Sequence, residues 1–86
     1  MADNNAQAGV QGYVVLLMGS TSRALRAEKL LHMAQIPNKL IPVPRHISSD
    51  CGVCLRVAKA DVPRARRVLE DAKMEIEGVH DVGGGL

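Results

Sequence analysis

The pattern of apolar and polar residues predicts a strand followed by a helix in the first half of the chain. The run "YVVLLM" (13–18) is apolar and rich in valine, which is typical of a central strand buried on both faces. Apolar residues then recur at helical spacing through 20–36. The Ser and Thr residues at 20–22 supply an N-cap, and Pro37 is expected to end the helix because it restricts the residue before it.

The second half repeats strand and helix patterns in the order β, β, α, β. "KLIPVPR" (39–45) is rich in β-formers but holds two prolines, each of which removes a ladder donor, so it is expected at a sheet edge. Residues 53–58 alternate, with Val, Leu and Val on one face and Cys, Arg and Ala on the other. Asp61 is expected to cap a second helix, and "MEIEGV" (74–79) alternates again as a fourth strand.

The resulting order, βαββαβ, predicts an α+β fold. The compact arrangement of these six elements is a ferredoxin-like two-layer sandwich, with a four-stranded antiparallel sheet in the order 4-1-3-2 and two helices on one face. In that order the first strand is central and the proline-rich second strand is an edge. The first strand is apolar on both faces and the helices cover only one, so the open face is expected to be buried in a homodimer.

Composition narrows the class of protein. The chain has 86 residues and a net charge of +2, with one Tyr, no Phe and no Trp, so nucleic acid is not an expected ligand. One domain is expected at 13–82, with a disordered tail at 1–12 and a flexible tail at 83–86. No apolar run approaches the ~20 residues of a membrane span, and the N-terminus lacks signal-peptide features. A cytoplasmic location, no membrane association and no cofactor are therefore expected.

Both cysteines lie in "RHISSDCGVCLR" (45–56), and strand directions predict where that loop sits. The first strand runs towards the same end of the sheet as the second, so Cys51 should lie near the start of the first helix. A helix N-terminus carries about half a positive charge and favours thiolate over thiol. Arg23 and Arg45 would add to that positive field.

Several kinds of C-x-x-C site are candidates for Cys51 and Cys54. A structural zinc site needs four ligands, and one pair is present. Thioredoxin-type motifs begin a helix, whereas a strand follows here. Soft-metal carriers of this fold place the motif after the first strand, where this chain has "GSTSR". Extended residues three apart have Cα atoms ~10 Å apart and side chains on opposite faces, which opposes a disulfide. A single nucleophile and two inert buried thiols both remain open.

The motifs "STS.AL.AE..L", "IPVPR" and "SSDCG..LR" give the chain a specific resemblance over nearly its whole predicted folded region. They resemble the selenium/sulfur (Se/S) carrier-like family of small bacterial proteins. The resemblance implies a cytosolic domain that holds sulfur or selenium on the cysteine of its "DCG" motif, here Cys51. It also implies a donor protein such as a cysteine desulfurase, and an acceptor enzyme of selenium or sulfur metabolism.

The resulting hypothesis is a carrier protein rather than an enzyme. Cys51 would accept the sulfur or selenium, and Cys54 would act as a resolving thiol if the loop bends. Support for the bound anion is expected from the loop and helix start, namely Arg45, Asp50, Gly52, Ser20, Thr21, Ser22 and Arg23. The alternative is a dimeric regulatory or soft-metal-binding module that uses both cysteines.

Overall fold

The computed structural model describes residues 12–47, 49 and 51–83, which form a four-stranded antiparallel sheet and two helices. The elements are β1 (Tyr13–Leu17), α1 (Thr21–Met33), β2 (Asn38–Pro42), β3 (Val53–Ala58), α2 (Val62–Asp71) and β4 (Gly78–Gly83). The strand order is β2-β3-β1-β4. The predicted α+β ferredoxin-like fold is therefore confirmed, with β1 central and β2 at an edge. Residues 1–11 and 84–86 of the two predicted tails lie outside the described residues.

Helix α1 begins as the sequence predicts but ends earlier. Ser20 is the N-cap, in an extended conformation, and its hydroxyl accepts the Arg23 N–H. The last helical residue is Met33, because Gln35 adopts a left-handed conformation (φ 62°) and turns the chain. That turn lets the Ile36 N–H donate to the Leu31 carbonyl and buries the Ile36 side chain. The prediction that Pro37 ends the helix was wrong.

Helix α2 starts at the predicted place without the predicted capping hydrogen bond. Asp61 occupies the N-cap position, but its side chain caps no backbone N–H. Its carboxylate lies 3.5 Å from the Arg64 guanidinium instead. A single turn of 3-10 helix, Lys59–Asp61, leads into α2. In the parts of the chain that the structure describes, no helix is both long and apolar enough to cross a membrane.

The fourth strand lies four residues further along the chain than the alternation predicts. Residues 74–77 form an irregular connection in which Met74 and Ile76 pack against the core. Pairing with β1 starts at Gly78, opposite Leu17, and continues to Gly83. The alternation of residues 74–77 therefore reflects alternating burial in a connection, not a β-ladder.

The main core lies between the helices and one face of the sheet. It combines alternate residues of β1 and β3 with the apolar stripes of both helices. Its buried members are Val14, Leu16, Met18, Ala24, Ala27, Leu31, Ile36, Leu55, Val57, Ala65 and Leu69.

A second, smaller cluster covers part of the opposite face, which we call the open face. Val15, Leu17 and Cys54 are buried there under Ile47. Ile47 belongs to the β2–β3 connection, which folds back over the sheet. The apolar residues that suggested a homodimer are thus partly buried within the chain itself. The homodimer stays a prediction.

Candidate functional site

Three connections meet at one end of the sheet. β1 and β2 run towards that end, while β3 and β4 start from it, so the β1–α1, β2–β3 and α2–β4 connections converge there. The β2–β3 connection is closed at its base by the Val43 N–H, which donates to the Gly52 carbonyl at 3.1 Å. Its apex turns where the Ile47 N–H donates to the Pro44 carbonyl at 3.0 Å. This places Cys51 beside the start of α1.

Cys51 is held by two contacts of its side chain and one of its backbone. Its sulfur lies 3.9 Å from the Thr21 hydroxyl and donates to the Val53 carbonyl at 3.1 Å. Its N–H donates to the Ser49 hydroxyl at 3.1 Å. The residue is only 6% exposed. The structure therefore brings Cys51 and Thr21 together, as the strand directions predict, and largely shields the thiol from solvent.

The first turn of α1 presents positive potential to this sulfur. Residues 21–24 include no acidic side chain, so the charge of the helix N-terminus is not offset within that turn. The Ser20 hydroxyl caps α1 by accepting the Arg23 N–H, and it lies 3.3 Å from the Ser22 hydroxyl. The predicted serines thus hold the helix start, while Thr21 makes the contact with Cys51.

Cys54 occupies a different environment from Cys51. It is fully buried on the open face, with its sulfur 4.0 Å from the Pro42 carbonyl. Burial, reinforced by the negative charge that Cys51 carries as a thiolate, raises the pKa of Cys54 to about 11. Both cysteines are free thiols. Cys54 is therefore a neutral, solvent-excluded group at physiological pH.

Comparison with known proteins bears on this cysteine-bearing loop. A family model described as "Putative Se/S carrier protein-like" matches residues 13–81, most of the chain. The chain belongs to this Se/S carrier family. The match includes both the start of α1 and the loop that carries Cys51, and it confirms the resemblance seen in the sequence. Neither the curated proteins nor the solved structures contain a match.

The structure describes three other predicted site residues of this Se/S carrier-family protein, and all three are exposed. Arg45 and Gly52 are exposed, and the Gly52 carbonyl closes the loop through Val43. Arg23 is exposed on the first turn of α1. Asp50 lies outside the described residues.

Glu77 is a charged residue at this end of the sheet that the sequence analysis missed. A Cβ on Gly19 would lie 3.3 Å from the Glu77 carboxylate and 3.7 Å from the Arg23 guanidinium, so both groups flank Gly19. Glu77 also anchors its connection, because its N–H donates to the Leu17 carbonyl at 2.7 Å. The signal available in sequence was its position just before the last strand, at the end where the Cys51 loop also lies.

A metal centre finds no support in the described residues. Across those parts of the chain, no three His, Cys, Asp or Glu side chains are grouped closely enough to hold one ion. Cys51 and Cys54 also lie in different surroundings: Cys51 is at the start of α1, and Cys54 is under Ile47. The described residues of this family member therefore bring one thiol, that of Cys51, to the start of α1.

Proposed function

We propose that the protein carries sulfur or selenium as a persulfide or perselenide on Cys51. The observation that carries this proposal is the Cys51 sulfur lying 3.9 Å from the hydroxyl of Thr21, the first residue of α1. A helix N-terminus stabilises a nearby anion, which suits both an attacking thiolate and the terminal anion of a persulfide. Membership of the Se/S carrier family supports the same chemistry.

The loading step is a transfer between two sulfur atoms. The Cys51 thiolate attacks the terminal sulfur of a donor cysteine persulfide and forms a new S–S bond. The S–S bond of the donor breaks, and its electron pair leaves with the donor thiolate. Cys51 then carries the persulfide, and an acceptor thiolate removes the terminal sulfur by the same step. Selenium replaces the terminal sulfur in the perselenide form.

Cys51 is better suited to this step than Cys54. The pKa of Cys54, raised to about 11 by burial, leaves it almost entirely protonated at neutral pH, whereas the attacking group must be a thiolate. Cys54 is also fully buried under Ile47, while Cys51 retains an exposed edge. We therefore assign no step of loading to Cys54.

The near-complete burial of Cys51 sets a condition on transfer. A donor protein has to reach a sulfur that is only 6% exposed, so the β2–β3 connection has to move during docking. The same burial shields a bound persulfide from small thiols between transfers. The donor is proposed to be a protein such as a cysteine desulfurase, and the acceptor an enzyme of selenium or sulfur metabolism.

Intact-mass spectrometry after incubation with a cysteine desulfurase and cysteine tests the proposal. The wild type and Cys54→Ser should gain about 32 Da, the mass of one sulfur, and Cys51→Ser should not. Thr21→Val should slow loading about 2- to 10-fold, because it removes one weak hydrogen bond to the sulfur, and the matched control Thr21→Ser, which keeps the hydroxyl, should not. An adduct that persists in Cys51→Ser and disappears in Cys54→Ser would contradict the assignment. Absence of any adduct, with metal bound to the purified protein, would favour a metal-binding module instead.

A further inference from the structure

The side of α1 that points away from the core combines exposed apolar and exposed basic side chains. The buried residues Ala24, Ala27 and Leu31 mark the side that faces the sheet. Residues three or four apart share a helix face, and exposed residues recur at that spacing on the opposite side. We call this side the outer face of α1, and its members are Ser22, Leu25, Arg26, Lys29, His32 and Met33.

Two large apolar side chains stand exposed on the outer face of α1. Leu25 is 48% exposed and Met33 is 73% exposed; among the described residues, the third exposed large apolar side chain is Val79 of β4. Met33 follows Leu25 by two helical turns, or about 12 Å, and Lys29 lies between them. Apolar and basic side chains therefore alternate along successive turns of the same face.

The outer face of α1 is also positively charged. Within the part of the chain that the structure describes, neither Arg26 nor Lys29 forms an ion pair. The single acidic residue of α1, Glu28, is half-buried at the edge of this face. By contrast, the arginines of α2 share their helix with Glu70 and Asp71. The outer face of α1 thus offers unmatched positive charge next to apolar surface.

We propose that the outer face of α1 is a docking surface for an acidic amphipathic helix of a partner protein. Carboxylates of that helix pair with Arg26 and Lys29, and its apolar side chains pack against Leu25 and Met33. The flexible thioether of Met33 suits such a contact, because it adapts its shape to the partner. From Ser22 to Met33 the face is about 16 Å long, which matches three turns of a partner helix.

An acidic protein helix fits this face better than a membrane or a nucleic acid. Stable binding of an amphipathic helix to a bilayer needs a broad apolar face, whereas the broad apolar face of α1 is packed against the sheet. Nucleic acid is disfavoured because the net charge of the chain is only +2 and the chain has a single aromatic residue.

The inference goes beyond the carrier chemistry of Cys51 and does not depend on it. Ser22 follows Thr21, whose hydroxyl lies 3.9 Å from the Cys51 sulfur, so the outer face of α1 begins beside the candidate site. Docking is measured with no sulfur donor present. A failure of docking would therefore leave the mass-spectrometric test of Cys51 untouched, and a failure of sulfur loading would leave the docking test untouched.

Two-dimensional NMR of the full chain, titrated with a capped helical peptide, tests this docking surface. The peptide has about 20 residues, enough to form a helix in water, and presents leucines and glutamates on one side. Amide shifts should concentrate on residues 22–33 and should weaken as salt is raised. A matched peptide with glutamine in place of each glutamate should bind more weakly by about fivefold or more, because it lacks the charges that pair with α1.

Variants of the full chain separate charge on this face from charge elsewhere. Lys29→Glu should lower the affinity for the glutamate peptide by about fivefold or more, because it turns an attraction into a repulsion. Lys39→Glu makes the same change of charge at an exposed lysine of β2 and should change the affinity by less than about twofold. Met33→Ala should lower the affinity by about two- to fivefold. The spectra report whether each variant is folded, and Arg26→Glu takes the place of Lys29→Glu if the latter does not fold.

Four outcomes would overturn the proposal. Shifts centred on α2 or on the sheet would place the peptide elsewhere, and equal affinity for the glutamine peptide would remove the role of charge. Tighter binding to vesicles of phosphatidylcholine and phosphatidylserine would assign the outer face of α1 to a membrane surface. Burial of this face in a dimer, shown by sedimentation and by loss of the dimer in Lys29→Glu, would assign it to a second copy of the chain.

Discussion

Ile47 is the residue whose removal most directly tests how the β2–β3 connection covers the sheet. Its side chain is 7% exposed and packs with Val15, Leu17 and Cys54. Ile47→Ala removes three carbon atoms from this contact. Comparable truncations cost about 2–5 kcal/mol in rigid cores, and a loop position that can relax belongs at the lower end, about 2–3 kcal/mol. A domain of this length has about 4–13 kcal/mol of stability, so the variant should still fold.

The same substitution should loosen the cover over Cys54 more than it destabilises the rest of the domain. If the lost 2–3 kcal/mol is lost from the closed connection, local opening becomes about 30- to 150-fold more frequent, since each 1.4 kcal/mol is a factor of ten. Cys54 is fully buried in the closed connection, so its reaction with a thiol reagent depends on opening. Its labelling rate should rise by the same factor.

The assay measures both quantities in a Cys51→Ser background, so that only Cys54 reacts. Urea denaturation gives the free energy of unfolding, and mass spectrometry after iodoacetamide gives the labelling rate. Met33→Ala is the matched control, because Met33 is 73% exposed and its truncation should change either quantity little. If Ile47→Ala shifts the free energy by less than 0.5 kcal/mol and leaves Cys54 labelling unchanged, the connection does not cover the face as described.

Two further predictions concern the same end of the molecule. Gly19→Ala should destabilise the protein by about 1–3 kcal/mol, because Gly19 is left-handed (φ +92°) and its Cβ would lie 3.3 Å from the Glu77 carboxylate. The control Gly52→Ala should leave the stability nearly unchanged, because the space around Gly52 is open. Equal urea midpoints for the two variants would refute this prediction. Because burial raises the pKa of Cys54 to about 11, the folded state holds its proton more tightly than the unfolded state. A Cys51→Ser background keeps the larger cause of this shift, burial, and removes the smaller one, the charge of Cys51; in it the free energy of unfolding should be steady below about pH 9 and fall by about 1–2 kcal/mol by pH 11. Cys54→Ala in the same background should lack that part of the fall, and parallel curves would count against the raised pKa.

The sheet was predictable because its signals are local. β1 is apolar at every position, which follows from its place between β3 and β4 with both faces covered. The prolines at 42 and 44 lie at the end of an edge strand and just beyond it, where a missing donor costs little. The alternation in β3 separates Leu55 in the main core from Cys54 under Ile47, as the period of two requires.

The position of β4 was not predictable from alternation. Met74 and Ile76 alternate with two glutamates. That pattern indicates which side chains are buried, but not whether the backbone is hydrogen-bonded to a neighbouring strand. The pairing depends on where β1 ends, because Leu17 accepts the Glu77 N–H and faces Gly78. That partner is about 60 residues away in sequence, so no local window contains it.

The candidate site was likewise predictable where it depends on the order of the elements, and not where it depends on the irregular connections between them. The contact of Cys51 with Thr21 followed from strand directions, which depend only on the order of elements. The approach of Glu77 to Gly19 depends on the irregular connection before β4 and was therefore missed. The cover formed by Ile47 was missed for a related reason: nothing in "RHISSDCG" indicates that this turn folds back over the sheet.

The separation of the two thiols gives the closed connection a specific consequence for the proposed carrier. A persulfide on Cys51 is destroyed if a second thiolate of the same chain attacks the inner sulfur, because the persulfide S–S bond breaks, the outer sulfur leaves as hydrosulfide and the two cysteines are joined in a disulfide. Cys54 is the one other cysteine in the chain; its burial under Ile47 raises its pKa, and its place in β3 keeps its sulfur on the open face. Opening the connection removes the burial that keeps Cys54 protonated and frees the segment that carries Cys51. Loosening Ile47 should therefore shorten the lifetime of a Cys51 persulfide, and Cys54→Ser should restore that lifetime even though Ile47 remains truncated.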